Sequence, residues 1–288
     1  MIIYLDYNST APVKDAVINS MVDVYRNSPG NPDSRTHEFG KNAGIICENG
    51  RNKVAKLIGV KSNEVFFTSG ATESNNIAIQ GLYDYSKISG KNHIITTSIE
   101  HKSVLNTVEH MQNLGFDVDF VSPDRSGRVS VKDVLSKIKN NTLLVTMMHV
   151  NNETGIIQPV KEIGDYLIDK EIYFHIDATQ SCGKLVQQLR QLNYDMMSLS
   201  AHKFGGPQGI GALILKRKNY KLPPIKNILY GGQQEAGIRP GTTPVALVAG
   251  FGVACEIAQK NYHEEEVCDK KIKQIIISEL KKVILNSL

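Results

Sequence analysis

The stretch DMMSLSAHKFGGPQG, residues 195–209, decides how the chain is read. Met196, Met197 and Leu199 form a short apolar run, as in a strand covered on both faces. Ser200, His202 and Lys203 cluster where that strand stops. Gly205 and Gly206 then let the backbone approach a ligand closely. A lysine beside a histidine and a serine, on a loop leaving a core strand, suits a Schiff-base lysine, which needs a buried amine of lowered pKa beside a fixed ring cofactor. A surface lysine on a loop is the plainer reading of the same residues.

On either side of this stretch strands and helices alternate. Strands are expected at 64–68, 93–97, 116–121, 143–149, 172–176, 196–199 and 212–215. Helices are expected at 15–27, from Ser34 (N-cap) to Leu57 with Gly59 behind, over 102–114 before Gly115, over 131–139 behind Ser130, and from Pro159. The alternation predicts a mainly parallel sheet between helices. After Gly241, Pro244 opens an apolar helix to about Ala258, and the charged run 264–273 starts a second helix reaching Leu288. A large domain over 15–258 is expected, with the arm 1–14 and residues 259–288 making up a smaller unit.

Composition narrows the classes. With 288 residues, 41% of them hydrophobic, the chain can bury one large core. A net charge of +4 without a basic, aromatic-laced stripe argues against direct nucleic-acid binding. No run of about 18 apolar residues suggests a membrane span. The opening residues show no secretory signal. Cys47, Cys182, Cys255 and Cys268 form no paired motif and no metal cluster with histidine, so a reducing, cytoplasmic setting without a metal is expected.

In an open α/β sheet, ligands sit beyond the carboxyl ends of the strands. Beyond the first strand lies Ser69-Gly-Ala-Thr-Glu-Ser74, an anion cradle at a helix N-terminus or a plain cap. Beyond the second comes His101, which could equally be structural. Asn151 and Asn152 follow the fourth and could form only a turn. Asp177 and Gln180 follow the fifth, where the carboxylate wants a cation or caps a helix. Together these residues place a lysine, a carboxylate, a histidine, amides and an anion cradle on one sheet edge. Pyridoxal phosphate (PLP) asks for that set: an amine for its aldehyde, a carboxylate for its ring nitrogen, a ring to stack and a phosphate seat.

FTSGATESNN (67–76), IEHKSVL (99–105), MHVNNETG (148–155), HIDATQSCGK (175–184), SLSAHKFGGPQGIGAL (198–213) and GGQQEAGIRPGTTPV (231–245) closely resemble NifS/IscS-type cysteine desulfurases, PLP enzymes of the class V aminotransferase group. YLDYNSTAPV (4–13) and GNPDSRTHEFG (30–40) match that family's opening. The resemblance implies a fold-type-I PLP transferase, α/β, with a seven-stranded mainly parallel sheet and a truncated small domain. It implies that Lys203 holds PLP covalently, Asp177 pairs with the ring nitrogen and Gln180 bonds the ring oxygen. It implies that His101 stacks and assists proton transfer, and that Asn152 lies near the ring oxygen and the substrate carboxylate. Ala71, Thr72, Ser200 and His202 would bind phosphate, and Thr242 would reach the phosphate of a second subunit in a homodimer. The implied reaction converts L-cysteine to L-alanine and a cysteine-bound persulfide, for iron–sulfur assembly or a thiolation-type sulfur acceptor.

Three departures stand out. The family's nucleophilic-cysteine loop and its carboxylate-clamping arginine have no match within residues 1–288, so weak turnover by this polypeptide is expected. Cys182, two residues past Gln180, reads as packing. Gln208 stands where the family usually has lysine, and Gly205 where an aromatic is common. Another class V reaction, such as transamination or selenocysteine cleavage, remains an alternative, as does a PLP-binding scaffold that needs a partner chain.

Overall fold

The computed structural model describes residues 3–285. Its centre is one seven-stranded sheet: β1 (Val65–Thr68), β2 (His93–Thr97), β3 (Asp117–Val121), β4 (Thr142–Met148), β5 (Tyr173–Asp177), β6 (Met196–Ser200) and β7 (Gly211–Leu215). The strand order is β1-β7-β6-β5-β4-β2-β3. Only the pairings made by β7 are antiparallel; all others run parallel. Because β7 is antiparallel to both β1 and β6, β1 points the same way as the parallel strands. The loops after β1, β2, β4, β5 and β6 therefore all open on one edge.

Side-chain alternation divides the core in two. Ile94, Leu144, Met196 and Leu213 face α3 (Ala71–Gln80) and α5 (Lys102–Asn113), where Ile77, Ile79, Val104, Val108 and Met111 complete one cluster. Ile95, Val145, Met197 and Ile214 face the other way. There they meet α2 (Glu38–Ile58), α6 (Val131–Ser136), α7 (Val160–Leu167), α8 (Val186–Arg190) and α9 (Val245–Leu285). Strands β4, β6 and β7 are buried along their whole length and β5 from Phe174 onward, which is why they are mainly apolar runs rather than alternating ones. Two further helices, α1 (Asp15–Asn27) and α4 (Tyr83–Ser89), complete the α-helices of the described residues. Helices α2 and α9 cross at Gly50, where an added Cβ would stand 2.6 Å from Val248 Cγ1 and 2.8 Å from its main-chain oxygen. That contact needs a residue without a side chain.

The sheet, its seven strands and its mainly parallel sense match the expectation, and so do the Gly59 and Ser130 caps. Three helix readings are corrected. The second helix starts at Glu38, capped by His37 Nδ1 accepting from Gly40 N at 3.1 Å. Ser34 instead donates its N–H to Asn31 in a turn. The helix expected to reach Lys139 stops at Ser136, because Lys137 and Ile138 tighten into three-residue turns and Lys139 N goes to Thr142 Oγ1. The two helices expected after Pro244 are one, since residues 259–263 contain neither glycine nor proline and nothing breaks the run. That helix passes through the expected domain boundary at 258/259. Residues 1–2 of the expected arm and 286–288 of the expected last helix lie outside the described residues. No helix among the described residues is long and apolar enough to cross a membrane.

Candidate functional site

Five strand ends meet around a cavity of about 680 Å³. Its walls include Ala71, Thr72, His101, Asn152, Asp177, Gln180, Ser200, His202 and Lys203. These are nine of the ten residues that the sequence singled out. The tenth, Thr242, is exposed and does not line this cavity.

Lys203 sits in a single 3-10 turn, Ala201–Lys203, directly after β6. The turn swings the lysine off the sheet edge, and Gly205, at φ +85°, bends the chain back. Lys203 Nζ donates to the main-chain oxygens of Asn8 at 3.0 Å and Ser9 at 2.8 Å. Burial lowers the pKa of this amine; the charge of Lys184 lowers it too, against a smaller pull upward from Asp177 and Asp6. The neighbouring His202 is held below its usual pKa by burial and by Lys203. Its Nδ1 lies 3.1 Å from Thr10 Oγ1.

Asp177 ends β5 and is buried. Oδ1 accepts from Thr179 N at 3.0 Å and from Thr179 Oγ1. Oδ2 accepts from Asn75 Nδ2 at 2.8 Å. A buried carboxylate with three donors and no cation in its hydrogen-bond shell has its charge partly satisfied and remains suited to a cationic ring nitrogen.

Helix α3 begins at Ala71 behind Gly70 as N-cap, with no side chain capping it, so its first-turn N–H groups and its dipole face the cavity at Ala71 and Thr72. Ser200, buried at the end of β6, lies beside Gly70. His101 caps α5: its Nδ1 accepts from Ser103 N at 3.1 Å and lies 2.8 Å from Ser103 Oγ. A neutral His101 therefore carries its proton on Nε2. Gln180 donates from Nε2 to Asn8 O at 3.1 Å, while its buried Oε1 has no protein partner. Of the two amides after β4, only Asn152 lines the cavity. Asn151 is buried in its own turn, its Oδ1 accepting from Glu153 N and Thr154 N.

Asp6, Asn8 and Ser9 also line the cavity, and sequence reasoning left them out of the site. The arm runs along the lysine loop: Ala11 N donates to His202 O and Lys14 N to Gly205 O. Gln208 Nε2 reaches Thr10 Oγ1 at 3.3 Å. The available signal was the polar set Asp6, Asn8, Ser9 and Thr10 in an otherwise extended arm. Asn75, just past the first turn of α3, and Ser103, inside the first turn of α5, carried none.

No cysteine lines the cavity. Cys47, Cys182 and Cys255 are buried, and Cys268 is exposed on α9. Burial pushes the Cys182 thiol up to about 12, far from a ready thiolate. Among the described residues no group of three or more His, Cys, Asp or Glu side chains is placed to hold a metal.

The pattern of the family described as "Aminotransferase class-V" matches residues 3–286. The chain is 43% identical to "Probable cysteine desulfurase, mitochondrial" of Dictyostelium discoideum, over 91% of this chain and 58% of that protein. It is 41% identical to "Cysteine desulfurase IscS" of Buchnera aphidicola (from Acyrthosiphon pisum, strain 5A), over 99% of this chain and 71% of that protein. A solved structure titled "NIFS-LIKE PROTEIN" superposes with a TM-score of 0.92 at 38% identity, over 98% of this chain and 76% of that one. The chain thus spans 58% to 76% of the length of these relatives.

Proposed function

The chain belongs to the class V aminotransferase family, among the NifS/IscS-type cysteine desulfurases, and from that membership we propose that it binds PLP at Lys203 and takes L-cysteine as substrate. The family's cofactor is PLP, and the cavity fits it. The observation that carries the reading is the convergence of three seats on one cavity: the amine of Lys203, the carboxylate of Asp177 and the uncapped start of α3.

When bound, PLP supplies an electron sink for the bonds around the substrate's α-carbon. The chain's own residues do the rest. Lys203, with its lowered pKa, offers an amine that loses its proton more readily than an ordinary lysine. Asp177 would hold a proton at the ring nitrogen, its orientation set by Thr179 and Asn75. The first turn of α3, with Ser200 and His202, would bind phosphate. His101 would stack on the ring and carry a proton on Nε2, the nitrogen left free by its capping bond. Gln180 would turn its amide to the ring oxygen, and Asn152 would orient the substrate carboxylate.

The persulfide-forming step needs a thiolate at the substrate sulfur. None of the described cysteines is in the cavity, which favours a second reading beside the first: a thiol brought from outside these residues, whether by a partner chain or by added thiol. A two-fold homodimer would account for Thr242, which is exposed here and would serve the neighbouring phosphate. A sulfur-acceptor protein and a cytoplasmic setting complete the proposal. The test is to purify the chain, add PLP, record the visible spectrum, and then measure alanine and sulfide from L-cysteine with and without dithiothreitol. A protein that stays colourless with PLP sinks the cofactor reading. Formation of a keto acid in place of alanine would replace the desulfurase reading with a transaminase one.

A further inference from the structure

We infer that Asn75 is a positioning residue that ties Asp177 to His101 through Ser103, holding the groups on either side of the cofactor seat in one hydrogen-bonded relay. Asn75 lies in α3, is fully buried, and does not line the cavity. Its amide nitrogen donates one hydrogen to Asp177 Oδ2 at 2.8 Å and the other to Ser103 Oγ at 2.9 Å. Its Oδ1 is buried without a partner. A flipped amide would set that oxygen against the Asp177 carboxylate, so the charge at Asp177 dictates which way the amide faces. Ser103 Oγ, once it accepts from Asn75, has its single hydrogen left for His101 Nδ1, 2.8 Å away. Ser103 N–H donates to the same nitrogen at 3.1 Å. Every hydrogen in the relay has one direction, from Asn75 outward to the carboxylate and, by way of the serine hydroxyl, to the imidazole.

The relay has a consequence for the site. The carboxylate that would face the ring nitrogen and the imidazole that would stack on the ring come from different strand ends, after β5 and β2. One buried amide sets their separation. Removing its two donors frees the Ser103 hydroxyl to rotate and takes one of three donors from Asp177.

The inference rests on the proposed cofactor reading only for its second measurement. The first uses the full chain without PLP: nitrogen-15 NMR of the imidazoles, with His101 assigned by His101→Gln. In the wild type, the neutral imidazole of His101 has Nδ1 as acceptor and the hydrogen on Nε2. Asn75→Ala and Ser103→Ala should each shift the Nδ1 signal the same way, the double variant should shift it no further, and Ser103→Thr should leave it near wild type. The second measurement is the dissociation constant for PLP by visible absorption and circular dichroism. Asn75→Ala should raise it about tenfold, the size expected for one charge-assisted hydrogen bond, and weaken the dichroism of the bound ring. Additive shifts in the double variant, or wild-type His101 signals and PLP affinity in Asn75→Ala, would overturn the inference. If Asn75→Ala does not fold, the Ser103→Ala and Ser103→Thr pair decides: a shift restored by threonine supports the relay, and no shift refutes it. A wild-type chain that binds no PLP would sink the cofactor reading while leaving the first measurement to judge the relay.

Discussion

Lys203 and Asn8, 195 positions apart, are joined by a 3.0 Å hydrogen bond from the lysine Nζ to the main-chain oxygen of Asn8. Ser9 O receives a second one at 2.8 Å. The arm thus closes over the amine, and that arrangement underlies the first prediction. Lys203→Ala should abolish the visible band given by added PLP, because no second lysine lines the cavity. It should leave far-ultraviolet circular dichroism unchanged, since the helices and strands do not depend on the lysine's two bonds to the arm. A visible imine band retained in Lys203→Ala would show that another amine holds the cofactor.

Turnover is expected to be slow and independent of Cys182. That thiol is fully buried and pushed up to about 12, and an attacking sulfur must come within about 3–3.5 Å of its target. Cys182→Ala should change alanine and sulfide production from L-cysteine by less than about twofold, while costing about 1 kcal/mol of stability. A chain that turns over rapidly and loses that activity in Cys182→Ala would identify Cys182 as the nucleophile.

Glu100 should make the fold less stable as pH rises. Its carboxyl is raised to about 8 by burial, against a usual 4.5, with Thr97 and Met148 N as its donors and Oε2 unpartnered. The folded state therefore holds a proton that the unfolded chain has lost, and stability falls between pH 4.5 and 8. Glu100→Gln should remove that slope, so that denaturant midpoints of variant and wild type diverge across this window. The gap at pH 8 should be on the order of a few kcal/mol.

His149 works from the acid side. Burial lowers it to about 4 from 6.5, and its Nδ1 has no partner. The unfolded chain binds the extra proton, so the stability from neutral His149 is present above pH 6.5 and is lost as pH falls toward 4. His149→Gln should lessen the acid loss. Identical acid limbs in wild type and variant would place the titration elsewhere.

Glu235 should matter more than its loop position suggests. Its side chain is 4% exposed and takes both Arg51 guanidinium nitrogens at 2.7 Å, plus Phe67 N at 2.8 Å. Holding it there forces Glu235 and Ala236 to φ +48° and +54°. Glu235→Ala leaves the largely buried Arg51 with only the half-exposed Glu48, 3.3 Å from its Nε, as an ion partner, and should cost about 3 kcal/mol. If the 231–243 loop serves a second subunit, the variant should also shift the light-scattering mass from dimer toward monomer. Ala236→Gly, which relieves the left-handed strain, should stabilise by about 0.5–1 kcal/mol.

The sequence by itself determined the layers of this protein and the edge on which its polar residues gather. Met196, Met197, Leu199 and their like form apolar runs because both faces of an inner strand are covered, and helix periodicity between such runs leaves a mainly parallel sheet. Once the strands are parallel, Asp177, Lys203 and the Ser69–Thr72 turn must share an edge, whatever the details of packing. Tertiary structure alone decided what lies across that edge and behind it. Nothing local in Asn8 or Ser9 says that their carbonyls meet Lys203, since that contact spans the chain. Nor does the pattern around Asn75 distinguish a relay to Asp177 from an ordinary helix asparagine. The junction at residues 259–263 was also beyond local reading: with no glycine or proline there, helix is merely permitted, and continuity is settled where α8 meets it, Gln187 reaching Tyr262 and Arg190 reaching Gln259. Local propensity and periodicity are short-range and show in the sequence. Hydrogen bonds between distant segments depend on side-chain directions that exist only once the core has packed.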